Sequence, residues 1–80
     1  MTTQAAANLT ADQRLFLHDM TVKKDLLRDW TLKQTWAVRD ELLNLGLIAN
    51  DFGWAVISDE GLRALDTPNA RKMLRARAIA

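Results

Sequence analysis

Apolar residues recur three and four positions apart from Leu9 to Leu45, form near-continuous runs between Leu47 and Ile57, and return to helical spacing from Leu62 onward. This order predicts helices, then a hairpin, then helices. Thr10-Ala11-Asp12-Gln13 reads as a capping box, in which hydroxyl and carboxamide each satisfy the other's backbone amide, so a helix should run from Ala11 to about Met20 with Phe16 and Met20 on its core side. Thr21 is placed to cap a second helix, with Val22, Leu26, Leu27 and Trp30 inward and Lys23, Lys24 and Arg28 in water. Thr31-Leu32-Lys33-Gln34 repeats the box and starts a third helix directly after Trp30. Two short helices with so abrupt a re-capping read as a helix-turn-helix.

The third helix should end at Gly46, which can take a positive φ, with Leu47 folding back onto it. The runs 47–50 and 54–58 then form a two-stranded hairpin around Asp51-Phe52-Gly53, with Gly53 in the left-handed position. Ser58 caps a short fourth helix holding Leu62 and Leu65. Thr67-Pro68 opens a last helix with Ala70, Met73, Leu74 and Ala78 as its apolar stripe, because proline at the first helical position loses no hydrogen bond. The organisation expected is a flexible tail over residues 1–9, one domain over 10–66 and a basic helix over 67–80. The fold class expected is α+β and mainly helical.

At 80 residues the chain can bury one small core but not two. The absence of cysteine excludes a disulfide framework, a thiolate metal site and a thiol nucleophile. Residues 1–8 lack the basic start and apolar run of a secretory signal, and no segment approaches the roughly 20 apolar residues of a membrane span. A cytoplasmic location is expected, without membrane association.

The formal net charge of +1 conceals a strong polarisation along the chain. Lys23, Lys24, Arg28, Lys33 and Arg39 outnumber Asp25 and Asp29 in residues 21–39, whereas Arg63 alone faces Asp40, Glu41, Asp51, Asp59, Glu60 and Asp66 in residues 40–66. Residues 67–80 carry Arg71, Lys72, Arg75 and Arg77 with no acid. Such asymmetry bears on partners.

Leu42, Gly46, Leu47 and Ile48, followed by Val56, Ile57, Ser58 and Gly61, resemble two signatures of winged helix-turn-helix proteins of the MarR/ArsR-like kind. There, a helix closing on Leu-x-x-x-Gly-Leu-Ile/Val enters a hairpin, the wing, whose second strand ends in Ser/Thr-x-x-Gly at the next helix. The resemblance implies a three-helix winged domain with a C-terminal helix, and double-stranded DNA as partner. A homodimer is expected, because one module of this size contacts little DNA and the last helix carries the apolar stripe Ala70, Met73, Leu74 and Ala78 through which two copies would pair. The resemblance sets Thr35, Val38, Leu42 and Leu45 toward the core. Lys33, Gln34 and Ala37 then face base edges, lysine suiting guanine acceptors and glutamine the donor and acceptor of adenine. Lys23, Lys24, Arg28, Arg39, Arg71, Lys72 and Arg75 become phosphate contacts, which position without reading sequence. The alternative for the cations is a solvated face, and the capping role alone accounts for Gln34.

A second reading competes. Leu32, Trp36 and Leu43 form another apolar row on the third helix, and Asp51 puts a carboxylate beside Phe52 at the wing tip, where it would repel phosphate. Trp36, Leu43 and Phe52 would then anchor a protein partner, as expected of an adaptor or inhibitor of phage or mobile-element type. The plainer alternative builds Trp30, Trp36 and Trp54 into the core. Catalysis is not expected: His18 and Ser58 are the only histidine and serine, His18 lacks a partner at ligand spacing, and Ser58 is explained as a cap. No cofactor or metal is expected.

Overall fold

The computed structural model describes residues 9–79, Lys23 excepted. The described residues form four helices and one antiparallel hairpin: α1 (Ala11–Asp19), α2 (Leu32–Asn44), β1 (Ile48–Asp51), β2 (Trp54–Ile57), α3 (Asp59–Leu65) and α4 (Pro68–Ile79). The architecture is α+β and mainly helical.

The expected cap of α1 forms in full. The Gln13 amide donates to Thr10 Oγ1 at 3.1 Å and the Thr10 amide to Gln13 Oε1 at 3.0 Å. Gln13 is buried because its Nε2 also donates to Glu41 Oε1 of α2 at 3.0 Å, so one carboxamide both caps α1 and ties it to its neighbour. The expected tail meets the domain one residue early: Leu9 packs on the core, while residues 1–8 lie outside the described ones.

Among the described residues the second helix is not formed. Residues 24–30 hold only turns and bends, among which the Trp30 amide bonds the Leu27 carbonyl at 2.9 Å. Two side chains explain the departure. The Thr21 hydroxyl donates backward to the His18 carbonyl at 2.9 Å, which ties Thr21 to the end of α1, and Asp19 Oδ1 takes the Leu26 amide at 2.9 Å. In so short a segment these local bonds outcompete a helical nucleus. Leu27 and Trp30 still reach the core, Trp30 lying 6.2 Å from Phe16 between ring centroids.

Thr31 caps α2 by accepting from the Gln34 amide at 3.1 Å, but the return bond of a second capping box is not made. At the far end Gly46 takes φ +74°, its amide bonds Leu43 O at 3.1 Å, and the Leu47 amide bonds Leu42 O at 3.0 Å. This pair of bonds is a Schellman motif, and the accompanying apolar contact is supplied by Leu42 and Leu47, both buried. The hairpin therefore leaves α2 in one fixed direction.

Within the hairpin Ile48 pairs with Ile57 and Asp51 with Trp54. A two-residue loop joins them, Phe52 at φ +51° and Gly53 at φ +86°, the signs of a type I′ turn. Beyond the last pair the Ser58 amide bonds Leu47 O at 3.0 Å, and Ser58 Oγ both donates to Gly46 O at 2.7 Å and accepts from the Gly61 amide at 3.0 Å. A Cβ on Gly61 would stand 2.0 Å from Leu47 O and 2.8 Å from an Ile57 side-chain carbon. The Ser-x-x-Gly sequence thus lets the start of α3 lie directly on the entry of the hairpin. The core, Leu17, Val38, Leu42, Leu47, Ile48, Ile57, Leu62, Leu65 and Ala70 with Phe16 and Ala64, draws on every element.

Candidate functional site

Val38 and Leu42 hold one side of α2 in the core, so the opposite side faces water. Lys33, Trp36, Ala37 and Asp40 are exposed there, and Gln34 is half-buried at its margin. Trp36 keeps 52% of its surface exposed, and the Arg39 guanidinium lies over its ring at 5.1 Å from the centroid. A planar cation stacked on an exposed indole is a modest attraction of about 0.5–1 kcal/mol, and it orders two large side chains that otherwise sample many rotamers. The expected register errs at the end of the helix. Leu45, set toward the core, is exposed at the C-cap, and Leu43, set outward as an anchor, packs against the core. The Gly46 turn brings Leu47 over Leu42 and rotates the buried arc toward Leu43.

The hairpin places its aromatics outside. Phe52 is 97% exposed at the tip and Trp54 is 74% exposed, so the core reading of Trp54 is incorrect. Strand geometry gives the reason: Trp54 and the buried Ile57 are three residues apart and must lie on opposite faces. That parity was legible in the sequence. Phe52 has a second peculiarity, since a left-handed backbone costs a residue bearing a Cβ roughly 1–2 kcal/mol and its ring gains no contact to offset it.

The cations divide into engaged and free. Lys23 lies outside the described residues. Lys24 and Arg28 are exposed in the irregular segment rather than on a helix, Arg28 with only a 3.9 Å approach to Asp29. Arg71 donates to the Asp66 carbonyl at 2.8 Å and carboxylate at 3.0 Å. Arg77 donates to Asp59 Oδ1 at 2.8 Å and to the Ile57 carbonyl at 2.9 Å. Lys72 and Arg75 are exposed on the outer side of α4 and enter none of the ion pairs among the described residues. The acidic and basic blocks of the sequence are therefore partly each other's partners across α3 and α4. The apolar stripe of α4 is also engaged: Ala70 is buried and Met73 and Leu74 pack on the core, leaving Ala78 exposed.

Among the described residues no group of three or more histidine, cysteine or acidic side chains is arranged to hold a metal, and no helix is long and apolar enough to cross a membrane. Ser58 acts as a helix cap, as its position implied. No protein-family model matches the chain, and neither the curated proteins nor the solved structures contain a match.

Proposed function

We propose that the chain is a small winged-helix module that binds double-stranded DNA, with α2 as the helix presented to the major groove and the β1–β2 hairpin as its wing. The observation that carries this reading is the exposed outer side of α2, held by Val38 and Leu42 and joined through a Schellman turn to the hairpin. Lys33 and Ala37 are presented directly and Gln34 has its carboxamide free of the cap, so these three are the base-reading set. Lys24, Arg28, Lys72 and Arg75 are the phosphate contacts best supported by their exposure. Arg39 and Arg71 are already engaged with Trp36 and Asp66. Two copies on DNA would contact more of it than one, and the surface joining them would not be the Ala70, Met73 and Leu74 stripe.

The test is titration of labelled random-sequence duplex at low and moderate salt. Each phosphate neutralised releases counterions with a slope of about 0.9 in log affinity against log salt, so the free cations give a slope of about −3 to −4. Absence of salt-sensitive binding at low ionic strength would reject the DNA reading. It would promote a protein-binding adaptor, which the exposed Leu32, Trp36, Phe52 and Trp54 specifically favour.

A further inference from the structure

A cleft of about 360 Å³ opens between α1 and the joint of α3 with α4, lined by Ala11, Arg14, Leu15, His18, Leu65 and Thr67. Ala11, Arg14, Leu15 and His18 stand at i, i+3, i+4 and i+7 and therefore share one side of α1, away from the side that places Gln13, Phe16 and Leu17 in the core. The walls are almost wholly apolar, and the volume falls within the range of small-molecule sites. Polar groups are few, and the Thr67 hydroxyl is taken by the Ala70 amide at 3.1 Å. Arg14 is the sole formal charge among the lining residues, and no carboxylate accompanies it. Its guanidinium makes one long bond, 3.4 Å, to the Leu65 carbonyl, which leaves most of its donors available.

From this juxtaposition we propose that the cleft is a binding site for a small amphipathic monocarboxylate, an unbranched apolar body with one carboxylate head. The body lies on Ala11, Leu15, His18 and Leu65, and the head accepts from Arg14. A cationic amphiphile meets Arg14 with like charge and is rejected. A neutral one fills the apolar walls but leaves Arg14 unanswered, so the charge of the head decides affinity. The site lies on α1 and the α3–α4 joint, and nothing in it depends on what α2 contacts.

The test uses the full chain, with amide chemical shifts followed during titration by octanoate, octanol and octylamine. Octanoate should give saturable shifts centred on Ala11, Arg14, Leu15, His18, Leu65 and Thr67, octanol should bind roughly tenfold more weakly, and octylamine should not bind there. Arg14→Met should weaken octanoate roughly tenfold and leave octanol unchanged, because the aliphatic stem stays while the charge-assisted bonds go. Ala11→Phe, at an exposed first-turn position, should fill the cleft and abolish binding of both; far-UV circular dichroism checks that it folds, and Arg14→Met carries the test if it does not. Equal affinity for the three amphiphiles, shifts centred elsewhere, no saturable shift, or an Arg14→Met variant that binds octanoate like the parent would overturn the proposal.

Discussion

The α3–α4 pair and the α2–hairpin pair are built from similar material and finished in opposite ways. In α3–α4 the charges meet one another, Asp59 with Arg77 and Asp66 with Arg71, and the apolar residues Leu62, Leu65, Ala70, Met73 and Leu74 all contribute to the core. In α2 and the hairpin, large apolar side chains remain outside, Leu32, Trp36, Phe52 and Trp54, and Lys33 enters none of the ion pairs among the described residues. The first pair has answered most of its own surface, Lys72, Arg75 and Ile79 excepted, and the second has not. Charge and hydropathy along a sequence therefore identify a partner surface only after internal pairings are subtracted, and that subtraction points from the basic α4 to α2 and the hairpin.

Substitutions in the two regions should accordingly separate stability from binding. The largest effect is expected at the contact that joins them: Gly61→Ala drives a Cβ into the Leu47 carbonyl and should cost about 3 kcal/mol, enough to unfold much of so small a domain. Gly46→Ala is the control, because nothing lies within 4 Å of its Cβ and only its positive φ is penalised, by about 1 kcal/mol. Urea denaturation of both variants decides this, and equal losses would remove the close approach as the reason for Gly61.

Trp36→Ala is next, and its effect should fall on binding. Truncation should change stability by no more than about 1 kcal/mol while weakening the partner of α2 tenfold or more. A variant that melts would return Trp36 to the core; one that folds and binds normally would remove α2's outer side as the contact.

A smaller contrast lies within α4. Arg77→Met breaks two hydrogen bonds at a partly covered site and should cost about 1 kcal/mol, whereas Arg75→Met should leave the melting temperature unchanged and lower the salt slope of DNA binding by about 1. If Arg77→Met were the one to alter the salt slope, the assignment of engaged and free cations would be reversed.

The smallest effect has the opposite sign. Phe52→Asn replaces a fully exposed ring at a left-handed position with a residue that tolerates it, and should stabilise the chain by roughly 0.5–1 kcal/mol. Loss of partner binding together with that gain would show the hairpin tip to be strained for the sake of contact; a loss of stability would show instead that the ring packs.

Local signals in the sequence determined the ends of most elements, because caps and turns are decided by residues within a few positions of one another. Thr10 with Gln13, Thr31, Gly46, Gly53, Ser58 and Thr67-Pro68 each mark a boundary that the structure keeps. Leu42, Gly46 and Leu47 also foretold the turn that aims the hairpin. Competition between local bonds, and tertiary contact, decided the rest. The Thr21 hydroxyl bonds backward to His18 and Asp19 takes the Leu26 amide, and the expected second helix was lost to these local alternatives. Gln13 gained burial from Glu41, 28 residues away, and Arg77 found Asp59 across a helix junction. Whether a charged or apolar side chain is free or engaged depends on groups distant in sequence, and a linear reading holds the identities of those groups but not their separation in space.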